Sequence, residues 1–344
     1  MENKLKLLVL SDTHLGFDYP MRPRIKIRRR AEEFFSNFNH VLNYGVKNKV
    51  DFILHLGDLF FRCKVHNDIV KRAYSKLLST ADKGIKIIIV PGNHDCSRLP
   101  LISILSHPNI YIFERPKVFS FPFQGKNINF AGFPFIRKNL HEEFQKCQNI
   151  FKTDISTNDV NLLLMHQTVQ GAQVGQINYT FGSGPDILLK KMMPQNYDLI
   201  LCGHIHRHQI LPFKHNNQAD FKGKVIFSGS TERTSFAEKN ETKGFLKIGL
   251  DPAINNPIEH LDFVPLPSRK MADIQIDSEN SIEAVMQTIK LEVNELNSNS
   301  IVRLKFEKNF HQGILNQLTT GLIRSLVPES MNIEISRSSF VDRN

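Results

Sequence analysis

The sequence predicts an α/β protein in two parts, a sheet-and-helix domain over residues 1–266 and a small β-α-β-α-β unit over 267–344. Three observations carry this reading. Short apolar runs alternate with segments of helical period from Leu5 to about Leu211. Each run ends in polar side chains able to bind a ligand. The composition shifts at Pro265, Pro267 and Ser268, after which the alternation resumes on a smaller scale.

Leu5–Leu10 reads as the first strand, followed by a helix with Phe34, Phe38, Val41, Leu42 and Val46 on one face. Phe52–Leu56 is the next strand, and Val70, Ala73, Leu77 and Ala81 stripe the helix behind it. Ile85–Val90, Leu162–Met165 and Leu199–Cys202 complete the buried strands, and Lys224–Phe227, Phe245–Leu250 and Glu259–Pro265 read as antiparallel strands that extend the sheet or add a second one. The stretch 214–224 reads as a hairpin loop. Beyond the linker come strand Ala272–Ile276, a helix from about Ser281 to Leu296, strand Ile301–Phe306, a helix from about Gln312 to Leu326 and strand Asn332–Ile335. Asn280 with Glu283 resembles a capping box, and Ile282, Val285, Ile289 and Val293 form the apolar stripe that follows.

A chain of 344 residues with 41% apolar and 23% charged side chains can bury a large core, which excludes disorder, collagen and disulfide scaffolds. The N-terminal apolar run is six residues with Lys6 inside it, so neither a signal peptide nor a membrane anchor is expected. Cys63, Cys96, Cys147 and Cys202 show no C-x-x-C spacing, and the expectation is four reduced thiols in a cytoplasmic protein. The net charge is +10, which favours a polyanionic partner such as nucleic acid. Much of the excess lies in Arg22, Arg24, Lys26, Arg28, Arg29 and Arg30, a segment that equally reads as a solvated basic entry to the first helix.

The strand ends carry the chemistry: Asp12 and His14, then Asp58, then Asn93, His94 and Asp95, then His166, then His204 and His206. Singly, each fits an ordinary turn or loop. Jointly, five segments deliver imidazoles, carboxylates and an amide to the edge where open α/β sheets bind ligands. That donor set, without thiolate, suits Mn²⁺, Fe or Zn²⁺. Two carboxylates leave most of the charge of two divalent ions uncancelled, so such a site attracts phosphate.

This motif series resembles the calcineurin-like metallophosphoesterase superfamily. Within it, Ser11-Asp12-Thr13-His14-Leu15-Gly16, Gly57-Asp58-Leu59-Phe60, Gly92-Asn93-His94-Asp95 and Gly203-His204-Ile205-His206-Arg207 resemble the Mre11 and SbcD DNA-repair nucleases, as does the later Gly229-Ser230 with Ser235-Phe236 and Lys243-Gly244. The likeness covers about residues 5–250, and the C-terminal unit resembles the capping domain of those nucleases. It implies a metallophosphoesterase fold, two packed mixed β-sheets flanked by helices, with two ions, most often Mn²⁺. Asp12, His14, Asp58 and His206 would hold one and Asp58, Asn93, His166 and His204 the other, with Asp58 bridging. His94 would donate toward the leaving oxygen with Asp95 orienting its ring, or else brace its loop. The resemblance further implies a DNA exonuclease or endonuclease acting on ends or hairpins in repair, an SMC-like ATPase partner of the Rad50 or SbcC kind, and a homodimer. The basic segment and Arg207, with His208 less securely, would contact DNA phosphates. One departure is Phe61, where those nucleases carry histidine or aspartate; it reads as core, or as a stacking platform for a base. Two other functions remain open, a phosphatase or phosphodiesterase for small nucleotides or phosphoproteins, and a DNA-end-binding scaffold.

Overall fold

The computed structural model describes residues 4–18, 30–96, 99–100, 102–213, 221–277, 281–307 and 310–336. The chain divides into two units, the first comprising Met1–Phe17, Ala31–Thr234 and Glu241–Pro267. Its first sheet is built on β1 (Leu5–Leu10), β2 (Phe52–His55), β3 (Lys86–Ile89) and β4 (Ile110–Ile112), all parallel. Its second sheet is built from β5 (Lys117–Phe123), β6 (Lys126–Gly132), β7 (Val160–His166), β8 (Leu199–Gly203), β9 (Gln209–Pro212) and β10 (Lys224–Phe227). In space that sheet runs β9-β10-β8-β7-β6-β5, with the four inner strands parallel and the two edges antiparallel. The late strands β11 (Gly244–Leu250) and β12 (Ile258–Pro265) return to the first sheet, where β11 pairs antiparallel with β1.

The reason for these strands is burial on both faces, which makes parallel strands read as continuous apolar runs. Leu7, Val9, Leu54 and Ile88 of the first sheet share one core with Phe130, Leu162, Leu164, Leu201 and Ile226 of the second. Each such side chain contributes about 1.5–3 kcal/mol when fully buried. Outside the first sheet, α1 (Ala31–Lys47) buries Phe34, Phe35, Phe38, Val41 and Leu42, and α2 (Asn67–Ala81) buries Val70, Ala73 and Leu77. Outside the second, Phe144, Cys147 and Phe151 of α3 (Leu140–Phe151) cover Leu163, Met165 and Phe227. The two-sheet metallophosphoesterase fold is thus present. Sequence reading missed β4 to β6, α3 and β9: β5 is a half-exposed edge strand that tolerates Pro122, and α3 starts from Asn139 in the left-handed region without a side-chain cap.

One expectation is corrected here. Cys63 and Cys96 are not separate thiols but form a disulfide, with Cα atoms 5.4 Å apart, because the loops after β2 and β3 lie side by side; Cys147 and Cys202 are buried thiols. Among the described residues no helix is long and apolar enough to cross a membrane.

The second unit comprises Ser268–Asn344 and Ser235–Asn240, with Asp18 and Arg30. A parallel three-stranded sheet, β13 (Met271–Ile276), β14 (Ile301–Phe306) and β15 (Asn332–Ile335), packs Ile274, Val302 and Leu304 against Val285, Ile289 and Val293 of α4 (Ile282–Asn294). The cap of α4 is Ser281, whose hydroxyl accepts from the Ala284 N–H; Asn280 lies outside the described residues. The helix expected over 312–326 is two, α5 (Gln312–Gln317) and α6 (Thr320–Ser325). Thr319 leaves helical geometry and caps α6 through the Leu322 N–H, a role short hydroxyl side chains fill better than a helix interior.

Candidate metal centre

The parallel strands of both sheets end at one edge, and the loops there are tied by backbone hydrogen bonds. The Asp12 N–H donates to the Gly57 carbonyl (2.9 Å) and the His14 N–H to the Asp58 carbonyl (3.1 Å). Asp12, His14, Asp58 and His204 all hold left-handed backbone, with φ of 51°, 43°, 54° and 79°, so each loop turns sharply and aims its side chain inward. Two glycines make room. A Cβ on Gly57, itself at φ +99°, would stand 2.3 Å from the His166 Nδ1, and one on Gly92 2.2 Å from the Asp58 Oδ1. The Gly-Asp and Gly-Asn pairs of the sequence are therefore packing requirements of the ligand loops.

Two overlapping nests result. In the first, His14 Nε2 and His206 Nε2 are 2.9 Å apart and Asp12 Oδ1 lies 3.8 Å from the His206 Nε2. Two nitrogens each about 2.1 Å from one ion and at right angles would be separated by about 3 Å. In the second nest, Asn93 Oδ1 is 3.0 Å from His166 Nε2 and 2.8 Å from His204 Nδ1, and Asp58 Oδ2 is 3.4 Å from His166 Nε2. Asp58 also groups with His14, which places it between the nests. The structure brings all seven predicted donors together.

The donor set fits divalent ions. Asp12 is fully buried; its Oδ2 accepts from the Ser11 hydroxyl and the His204 N–H, but its Oδ1 has no hydrogen-bond partner among the described residues. A buried carboxylate oxygen in that position is costly unless a cation meets it. The His166 Nδ1 lies 2.6 Å from the Leu56 carbonyl oxygen, which can only accept, so that nitrogen carries hydrogen and Nε2 faces the nest.

Residues 5–208 match the family model of the calcineurin-like phosphoesterases. The chain belongs to the calcineurin-like phosphoesterase family. Membership makes this phosphoesterase a hydrolase by class, and its His/Asp clusters candidates for divalent metal ions. It is 23% identical over 299 residues to the DNA double-strand break repair protein Mre11 of Thermoplasma acidophilum, covering 81% of this chain and 70% of that protein. To the protein of that name from Methanopyrus kandleri it is 22% identical over 304 residues, covering 83% of this chain and 62% of that one. Among solved structures it is similar to a dimetal phosphatase from Danio rerio (13% identity, TM-score 0.42, covering 71% of this chain and 92% of that one). It is also similar to the nuclease MPE of Pseudomonas putida (11% identity, TM-score 0.29, covering 76% and 87%).

Electrostatics in the phosphoesterase centre follow from burial. Burial pushes the His204 imidazole down to about 3, which keeps it neutral and able to ligate. Burial also raises Asp12. For His166 burial works downward, but the adjacent Asp58 carboxylate overrides it and raises the ring to about 9. Burial would likewise raise Asp58, yet His166 holds it well below the ordinary range. The metal-free centre therefore keeps a proton on His166 at neutral pH. The stabilisation from this raised group is complete below its unfolded value of about 6.5 and is lost as pH rises through about 9. A metal ion must displace that proton. Metal affinity is expected to fall about tenfold per pH unit below 9, with a proton released on binding. Calorimetric titration of Mn²⁺ in two buffers of different ionisation enthalpy checks this; an affinity flat between pH 6 and 8 would refute it.

The other predicted residues are placed as follows. His94 is at the mouth, its side chain 39% exposed, Nε2 4.0 Å from Asp58 Oδ2 and Nδ1 2.6 Å from the Phe61 carbonyl. Asp95 does not orient that ring. It is buried and accepts from the backbone N–H groups of Leu59 (3.2 Å), Phe60 (3.0 Å) and Gly92 (3.0 Å), latching the Asp58 and Asn93 loops together. Burial, with the Asp58 charge, raises it to about 6. Phe61 is half-buried at the rim rather than core, stacked on His94 at 6.0 Å and edge-on to Phe17 at 4.9 Å, whereas Phe60 is the core residue. Arg207 is committed internally: its guanidinium donates to Glu241 Oε1 (3.0 Å), Asn178 Oδ1 (2.8 Å) and the Gly175 carbonyl (2.6 Å). His208 is half-buried and stacks on Phe263 at 4.5 Å. Arg30 is buried, its N–H donating to Asp18; Arg22, Arg24, Lys26, Arg28 and Arg29 lie outside the described residues. Sequence reading passed over Arg137, whose guanidinium donates to the Asn93 carbonyl. Lys243, singled out in the sequence only as part of a family-like segment, is buried and donates to the His206 carbonyl (2.9 Å) and Glu241 Oε2 (2.9 Å), and so braces the last ligand loop.

Proposed function

We propose that this phosphoesterase is a Mn²⁺-dependent DNA nuclease of the Mre11/SbcD type that hydrolyses phosphodiesters at DNA ends or hairpins in repair, working with a Rad50- or SbcC-like ATPase. The observation that carries the reading is the extent of the likeness. Similarity to the two Mre11 proteins spans 81% and 83% of the chain, well beyond residues 5–208 that the family model matches. The net charge of +10 supports a polyanionic substrate.

Asp12, His14, Asp58 and His206 would hold one ion and Asp58, Asn93, His166 and His204 the other, with Asp58 bridging. Bound there, the ions supply charge neutralisation at the phosphoryl oxygens. The chain supplies the proton. The Phe61 carbonyl fixes the His94 ring through Nδ1, so Nε2 is the atom turned to the substrate, and in the imidazolium form it donates to the oxygen released as the P–O bond breaks. Asp95 keeps the loops of Asp58 and His94 in register. The half-buried Phe135 packs against the second nest, its ring centroid 5.6 Å from that of His204.

Purified protein with Mn²⁺ should cleave linear or hairpin DNA, and a chelator should stop it. Turnover of bis(4-nitrophenyl) phosphate without any DNA cleavage, alone or with the ATPase, would replace this reading by one of a small-phosphodiester hydrolase. Absence of turnover on every phosphodiester, with metal bound, would leave a binding scaffold.

A further inference from the structure

We infer that Arg137 is a substrate-contact residue that grips the DNA-backbone phosphate next to the one being hydrolysed. The inference deepens the nuclease reading and rests on it. The loop after β6 is docked on the second nest by three contacts: the Phe135 N–H donates to the Pro91 carbonyl (2.9 Å), the Gln167 Nε2 to the Ile136 carbonyl (3.4 Å), and one Arg137 Nη to the Asn93 carbonyl. The Phe135 ring packs against His204 and His166, with centroids at 5.6 and 6.0 Å, and the Arg137 guanidinium carbon sits 5.7 Å from the centroid of that same ring. A cation is thus held in a fixed place about one ring's width outside the ligand shell.

An arginine presents five N–H donors in a planar fork. Here the Asn93 carbonyl occupies one Nη, and no other acceptor among the described residues meets the group, which is exposed. The remaining edge suits a phosphate, whose paired oxygens match the fork. The neighbouring Lys138 is exposed as well and adds a second positive charge to the same rim. The contrast with Arg207 is instructive: that guanidinium spends its donors on Glu241, Asn178 and Gly175, whereas Arg137 keeps most of its own. A residue that merely braced the Asn93 loop would need only the contact to the carbonyl, which lysine could also make.

The test compares wild type, Arg137→Ala and Arg137→Lys by DNA-cleavage kinetics, anisotropy binding of a short duplex across a salt series, turnover of bis(4-nitrophenyl) phosphate and metal content. For Arg137→Ala, KM for DNA should rise about tenfold or more, the size of a lost charge-assisted hydrogen bond. The slope of log affinity against log salt should fall by about one. Reporter turnover and bound metal should fall by much less than the DNA effect, and Arg137→Lys should fall between. Unchanged DNA kinetics and salt slope in Arg137→Ala, with wild type active on DNA, would overturn the role of Arg137 and leave the nuclease reading standing. Equal losses of metal and of reporter turnover would also overturn it, in favour of a brace. A wild type that neither binds nor cleaves DNA would overturn the nuclease reading and this inference together.

Discussion

Asp58→Ala is expected to abolish activity and to strip both ions proposed for the centre, the largest effect expected of any single side chain in this protein. Asp58 belongs to both nests: its Oδ2 lies 3.4 Å from His166 and it groups separately with His14. Losing an outer partner of a metal ligand costs about 10–100-fold in affinity, and losing the shared carboxylate should exceed that at each ion. The backbone is affected too, because Asp58 Oδ1 accepts the His94 N–H at 2.8 Å. Asp58→Asn keeps that acceptor and the side-chain volume, so it separates loss of charge from loss of fold. Metal analysis after gel filtration is the check; a folded Asp58→Asn that retained two ions at wild-type affinity would remove Asp58 from the bridge.

His94→Gln should do the opposite, keeping both ions while lowering DNA cleavage by about 10²–10⁴-fold, the usual worth of a positioned acid. The geometry separates the two residues. The His94 Nε2 stands 4.0 Å from Asp58 Oδ2, its ring is held by a carbonyl rather than a carboxylate, and it opens to solvent. Rapid-quench cleavage alongside metal content tests this. If His94→Gln lost an ion in step with its rate, His94 would be a ligand rather than the acid.

What the sequence made legible is what burial and chain order control. Buried strands leave mostly apolar runs, so Leu5–Leu10, broken only by Lys6, and Ile301–Phe306, where Arg303 and Lys305 alternate with buried residues, are found with their observed bounds. The seven donors could be picked out because each follows such a run, and Gly57 and Gly92 precede two of them for steric reasons now visible. Residues whose role depends on what lies across space were not legible. Arg207 and Arg137 are chemically identical in the sequence, yet Glu241, Asn178 and Gly175 engage the first, while the second donates only to the Asn93 carbonyl among the described residues. Asp95 looked like a partner for the next-door ring, but its oxygens meet three backbone N–H groups from two loops. The Cys63–Cys96 link joins residues 33 apart with no motif to announce it. The helix break at Thr319 arises because its hydroxyl competes with the helix for a backbone N–H, which an apolar stripe does not register.

The left-handed turns at Asp12, His14, Asp58 and His204 carry a thermodynamic consequence. A residue with a Cβ pays roughly 1–2 kcal/mol to sit there, somewhat less for aspartate, so four of them together amount to a sizeable share of the ~5–15 kcal/mol that separates a typical domain from its unfolded chain. Cations that recognise only the native loops offset this in proportion to the logarithm of their concentration. With ions bound as proposed, the melting temperature of this fold would rise with the divalent-ion supply around it, and a chelator would lower it.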